Sequence, residues 1–318
     1  MMTDSNSNQP EKEKTGAAEI AVGLEHAPVA GPTFHYYESQ GRRIWRRFLQ
    51  HRLAVAGGGV VIMLLIMALL AGFIAPHDPL ALDTHRRFIP PLKESNYILG
   101  TDEMGRDLLS RLFYGGRISL VVGVAAMFAT IVTGLIIGLL SGFYGGKVDM
   151  ILMRFTDTML CFPQVFLLLV LAAFITPTVI SIALIIGLTS WMEVARIIRA
   201  QIQYVKEQDF VQAAFALGAS EGRIMFKELL PNAIAPVLVS ATLNVANAVL
   251  MESYISFLGY GIQPPLASWG NMLTNAQSYF DLAPWLAILP GAMITLTVMS
   301  FNFLGDGLRD ALDPRLRM

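Results

Sequence analysis

Apolar positions in this chain fall into long charge-free blocks separated by short polar segments. Leu53–Ala75 holds 23 residues without a charge, about 34 Å of helix and enough to cross a bilayer core. A second block runs from about Ile118 to Gly142. The charge-free interval from Thr158 to Met192 is 35 residues, too long for one crossing, and it contains Pro163, Pro177 and Gly187. Dividing it at Thr176–Pro177 gives a third span over about Ile151–Ile175 and a fourth over about Thr178–Ala195. A fifth covers Ala233–Leu258 and a sixth Trp285–Leu304. The predicted fold is all-α, a polytopic membrane protein of six transmembrane helices.

Composition agrees: 54% of the 318 residues are hydrophobic and 15% charged, against about a quarter charged in soluble domains. Charge then orients the helices. With the N-terminus inside, 17 of the 23 lysines and arginines lie on cytoplasmic segments. The other six share the external segment 76–117 with six acidic residues. The positive-inside rule therefore predicts both termini in the cytoplasm. Residues 1–41 are acidic and poor in apolar residues, without a signal-peptide h-region, and are expected to be a disordered cytoplasmic tail. The first helix and an external loop occupy 42–117, and the remaining helices 118–318, with a cytoplasmic loop at 200–232.

Ala126, Thr130, Gly134, Gly138 and Gly142 repeat every four residues in the second span. Such a ridge lets another helix approach closely, and is expected to form a helix–helix seam within this chain or against another subunit. Polar residues inside spans are costly in lipid. Asn244 and Asn247 share one face of the fifth helix, Glu252 falls near its outer end with water contact expected, and Asn302 lies in the sixth. These four are candidates for lining a polar pathway.

Catalytic chemistry is scarce. One cysteine, Cys161, permits no internal disulfide or cysteine zinc site. All five histidines precede the second span, so no intramembrane histidine relay is expected. The segment SGFYGGKV over 141–148 fails the phosphate-loop pattern at Ser141 and Val148, and reads as a turn between spans. No catalytic residue and no metal site is predicted, and a net charge of −1 gives no reason to expect nucleic acid.

On the external side, Thr101–Tyr114 reads as an amphipathic helix with Arg106, Asp107 and Arg111 on its polar face, leading into the second span through Gly115–Gly116. Trp269, in the loop 259–270, is expected to be an interface or packing anchor. Asp306, Arg309, Asp310 and Asp313 fall at spacings that allow local ion pairs.

The loop between the fourth and fifth spans is the most informative segment. Phe210, Ala214 and Leu217 mark one apolar face of a short helix, and Gly218 suits the left-handed position that ends it. Ser220 can cap a second helix with Glu221 in its first turn, and Pro231 marks entry to the fifth span. Two short helices joined by a bend fit docking into a partner's groove, or lying flat on the bilayer surface.

This loop resembles the EAA motif of bacterial ABC-importer permeases: Gln212-Ala213-Ala214, Gly218, then Leu230-Pro231 at the motif's spacing. Gln212 replaces the acidic residue and Glu228 stands at the Ile position. Three further blocks, LGTDEMGRDLLSRLFYGGRISL (99–120), ESYISFLGYGIQPPLASWGNML (252–273) and FNFLGDGLRDALDP (301–314), resemble the C-type permease subunit of dipeptide, oligopeptide and nickel importers. The resemblance spans residues 42–318. It implies one extra helix before a five-helix core, in a multi-pass protein of the bacterial inner membrane. It implies four kinds of partner: a homologous B-type permease, two ABC ATPase subunits, an extracytoplasmic substrate-binding protein and membrane lipid. No cofactor is expected on this chain, with ATP and Mg on the ATPases. Gln212, Ala213, Ala214, Gly218, Leu230 and Pro231 would form the ATPase-coupling loop of a non-catalytic transporter subunit. Peptide import by alternating access is the resulting expectation. The alternatives are import of nickel chelates and a self-sufficient secondary transporter, against which stands the lack of an inverted repeat or a buried carboxylate pair.

Overall fold

The computed structural model describes residues 40–312. The acidic tail therefore falls outside the described residues except at its last two positions, and so does Asp313. The described chain is helical, in the order α1 (Gln40–Gln50), α2 (Arg52–Leu69), α3 (Leu108–Tyr144), α4 (Gly146–Leu160), α5 (Gln164–Phe174), α6 (Val179–Leu188), α7 (Trp191–Lys206), α8 (Asp209–Ala216), α9 (Ile234–Phe257), α10 (Trp269–Leu273) and α11 (Trp285–Leu312). Helices α2, α3, α9 and α11 are each long and apolar enough to cross a membrane, and two bent pairs bring the number of spans up to six.

Those pairs correct the reading of the third and fourth spans. Helices α4 and α5 meet at 85° across Cys161–Pro163, and α6 and α7 at 48° across Thr189–Ser190. Pro163 cannot donate an N–H and its ring clashes with the preceding turn, so no helix runs through it. It stands instead as the N-cap of α5. The two breaks are tied together by Gln164, whose Nε2 donates to Ser190 Oγ at 2.7 Å. The split at Thr176–Pro177 does separate α5 from α6, and Thr178 and Ser181 cap α6 reciprocally.

Helix α3 is the axis of the fold. Its 37 residues make a rod roughly 55 Å long. Asp107 caps its start, accepting from Ser110 N at 2.9 Å. Gly145, at φ +64°, ends it with its N–H on the Ser141 carbonyl. The helix runs straight through Gly115–Gly116, because these glycines make room for Trp269 rather than for a bend. A Cβ on Gly116 would stand 2.7 Å from the Trp269 ring. Nor do Arg106, Asp107 and Arg111 form a polar surface: all three are buried. Residues 101–107 fold instead into a turn closed by a Thr101–Asp107 bridge, and the helix begins at Leu108.

The ridge of small residues is the seam between α3 and the second bent pair, and it lies within this chain. A Cβ on Gly138 would sit 2.6 Å from the Ala195 carbonyl oxygen, and one on Gly134 2.7 Å from Val194. On Gly142 it would be 2.9 Å from Ile202, and opposite Ala126 and Ala129 the glycine comes from the other side, at Gly187. Thr130 Oγ1 donates to the Gly187 carbonyl at 3.3 Å. Close backbone approach of this kind supplies the packing that lipid cannot drive. Helices α9 and α2 pack on other sides of α3, and α11 packs against α2 and α9, around a core that includes Leu64, Leu120, Val249 and Trp269. Helix α11 continues past Leu304, and Asp310 there reaches across to His51 Nε2 at 3.7 Å, where a local pair was expected.

Candidate functional site

At the end of the bundle where α7 stops and α9 starts, the polypeptide makes the two-helix loop foreseen from sequence. Helix α8 closes with a Schellman arrangement: Ala219 N donates to the Ala214 carbonyl at 3.1 Å and Gly218 N to that of Phe215 at 3.0 Å. Gly218 has φ +76°. A Cβ there would meet nothing within 4 Å, so the glycine is required by backbone conformation alone. Ser220 occupies the cap position of the second helix but makes no side-chain cap bond. That helix widens to π geometry over Ile224–Leu229 just before Pro231, which offers no N–H to a regular ladder. Asn232 Nδ2 donates back to the Glu228 carbonyl at 2.6 Å.

The loop is firm beneath and open above. Val211, Ile224 and Leu229 are fully buried, in one cluster with Leu139, Phe143, Ile198 and Ile202. Ala214 is half-buried beside them, while Phe210 and Leu217 are exposed. Leu217 is 87% exposed and Phe226 61%. Gln212 and Ala213 are exposed as well, Leu230 is half-buried and Pro231 exposed. Gln212, at the motif's acidic position, donates Nε2 to the Lys206 carbonyl at 2.8 Å and so finishes the end of α7.

Charged braces hold this base, and sequence reasoning missed them. Lys206 Nζ donates to the Phe143 carbonyl at 2.6 Å and lies 5.5 Å from the Phe143 ring centre. Arg199 grips Asp149 with two bonds of 2.5 Å, the two-pronged geometry that makes guanidinium–carboxylate pairs strong. Tyr144 donates to Glu221 at 3.1 Å. Opposite charges on adjoining ends of predicted spans were the available signal, though the partners lie 50 residues apart.

The four residues read as pathway candidates separate. Asn244 is half-buried and donates to its own helix at the Ser240 carbonyl. Asn247 and Asn302 are exposed, each on a helix long and apolar enough to cross a membrane. Glu252 is fully buried, which corrects the expectation of water contact. It accepts from Ser119 Oγ on Oε2 at 2.9 Å and from Ser256 Oγ on Oε1 at 2.7 Å. Each serine in turn accepts a backbone N–H from the loop after α9, Trp269 N on Ser119 at 3.2 Å and Ile262 N on Ser256 at 3.1 Å. Trp269 Nε1 adds a bond to the Leu112 carbonyl at 3.0 Å. One carboxyl thus clasps α3, α9 and the covering loop. Distance along a helix could not reveal this, because the loop folds back over the helix end.

Comparison with known proteins agrees with this architecture. Residues 134–318 match the family model described as the binding-protein-dependent transport system inner membrane component. Residues 39–91 match the N-terminal TM domain of oligopeptide transport permease C. The chain is 39% identical over 282 residues, 87% of its length and 91% of the relative's, to the oligopeptide transport system permease protein OppC of Haemophilus influenzae. It is 38% identical over 302 residues, 92% of its length and 98% of the relative's, to the di/tripeptide transport system permease protein DppC of Pseudomonas aeruginosa. Among solved structures, an inward-facing MetNI methionine ABC transporter chain superposes with a TM-score of 0.51 at 19% identity, covering 64% of this chain and 96% of that one, a likeness of fold. On these grounds, the chain belongs to the family of binding-protein-dependent transport system inner membrane components, as a permease subunit of an ABC transporter.

Proposed function

We propose that this chain is the C-type membrane subunit of a peptide importer, driven by ATPases that dock on the loop of α8 and the short helix after it. The observation that carries the reading is the loop itself: Leu217, Phe210 and Phe226 stand outward from a base fixed by Val211, Ile224, Leu229 and the Asp149–Arg199 pair. Apolar side chains on a braced pair of short helices suit a groove on a soluble partner. Both termini and this loop then face the cytoplasm, and the Glu252 clasp faces outside, as the lysine and arginine distribution requires. The partners are a homologous permease, two ATPases carrying ATP and Mg, and an extracytoplasmic binding protein that delivers substrate.

The mechanism follows in two-state terms. ATP binding closes the ATPase pair, the docked loops move with it, and the passage between the permeases changes the side to which it opens. Asn247 and Asn302, polar and exposed on apolar helices, are the residues of this chain best suited to that passage or to the facing permease. Peptides are the substrate class carried by the names of the relatives. Purification in mild detergent from the native membrane is expected to recover a second permease and two ATPases. Gly218→Pro, which cannot adopt φ +76°, should insert normally yet lose the ATPases. A chain that purifies alone and still transports after reconstitution would overturn the reading. Uptake of nickel chelates but not of peptides by the reconstituted complex would move the substrate assignment.

A further inference from the structure

Beside the Glu252 clasp, the 101–107 turn, the first turn of α3 and the loop after α9 enclose a cavity of about 230 Å³. Asp102, Arg106 and Arg111 line it and are buried, while Glu103 is half-buried and Gln263 and Asn275 line it as exposed residues. The charges here are unevenly served. Asp102 Oδ1 accepts the backbone N–H groups of Met104 and Arg106, both at 2.9 Å. Its Oδ2 accepts Arg106 Nε at 2.6 Å, and Arg106 Nη2 reaches Glu103 at 3.3 Å. Arg111 comes last, with Nε 3.4 Å from the already occupied Oδ2 and a side chain only 6% exposed. Its Nη1 is buried without a hydrogen-bond partner.

A buried guanidinium with an unspent donor is costly, and the group that best meets it is a carboxylate, which can accept two parallel N–H bonds. No local acid bonds that donor: Asp102 is spent on Arg106 and on its own turn, and Asp107 caps α3 through Oδ2 while its Oδ1 is likewise buried without a partner. We propose that this cavity binds a carboxylate group, with Arg111 as its main donor and a small amino or peptide acid as the ligand. The same chemistry is available from an acidic side chain of a docking binding protein. The opening of the cavity to the outside rests on the topology proposed above; carboxylate binding at Arg111 does not.

The test uses the full chain, in detergent, in its complex. The probe is a free dipeptide against the same dipeptide amidated at its C-terminus, with binding followed by calorimetry on wild type and Arg111→Lys. Thermal unfolding of both proteins reports whether the variant is intact, and Asn275→Ala provides a second, gentler perturbation of the opposite wall. The expected result is binding of the free acid, with a loss of about tenfold or more on amidation and on Arg111→Lys. Where the free dipeptide does not bind, the second arm measures affinity for the cognate binding protein. A similar loss on Arg111→Lys there assigns the carboxylate to that protein. Binding of free acid and amide alike, or no dependence on Arg111 in either arm, overturns the site. Failure of transport or of ATPase recovery would count against the importer reading and leave these measurements untouched.

Discussion

The two ends of α3 solve opposite problems. At the Glu252 end, polar groups are sealed inside, and within the clasp each donor has its acceptor, although Arg111 beside it keeps one donor unserved: two loop N–H groups pass to two serines and both serines to one carboxyl. At the other end, charged groups lie at the rim, and apolar side chains such as Leu217 are left in the open. Buried, satisfied polar groups hold a shape, whereas exposed apolar ones on a braced base are unfinished contacts. Stability should therefore be concentrated in the first region, and assembly in the second.

The largest effect is expected at the clasp. Glu252→Ala leaves two buried hydroxyls without acceptors and should lower stability by about 2–4 kcal/mol, seen as an earlier thermal transition in detergent and faster proteolysis within 259–270. Glu252→Gln, which keeps one acceptor and the shape, should cost about 1 kcal/mol. Equal losses from both variants would mean that the carboxyl only fills space. Between the two ends, Gly138→Val must displace the Ala195 carbonyl oxygen, which would lie 2.6 Å from its Cβ. A cost of about 1–3 kcal/mol is expected, together with altered cross-linking between cysteines on α3 and α7. The smallest effect on stability belongs to Leu217→Ser, within about 0.5 kcal/mol of wild type, although ATPase co-purification should fall sharply. A stability loss there as large as at Glu252 would erase the contrast.

Much of the architecture was legible because membrane helices announce themselves by their lack of charge, and because small residues at every fourth position have few uses other than a close helix contact. The seam from Ala126 to Gly142 is such a case, although only the structure assigns its partners to α6 and α7. Pro163 was visible as an interruption of the charge-free interval, but the division fell at Thr176–Pro177, since hydropathy is blind to direction. Arg106, Asp107 and Arg111 were misplaced for another reason. Helical periodicity sorts polar from apolar, but it cannot show that a turn at Asp83, 22 residues before Gly105, has closed over the polar side. In this structure the Gly105 backbone lies so near the Asp83 carbonyl that a Cβ would stand 1.8 Å away. The shape of the loop between α7 and α9 was legible because local chemistry sets it, above all Gly218 at φ +76°. Its braces join residues far apart in sequence, as does the clasp, and no local pattern pairs them.

Helix α3 joins these regions mechanically as well as spatially. Lys206 bonds its end at Phe143, α7 is pressed along its glycines, and Ser119 near its start belongs to the clasp. A stiff arm of about 55 Å carries its tip sideways by about 1 Å for each degree of tilt. In the importer proposed above, a tilt of a few degrees at the loop between α7 and α9 would arrive at the Glu252 end as a displacement comparable to the length of a hydrogen bond, with no intermediate gear.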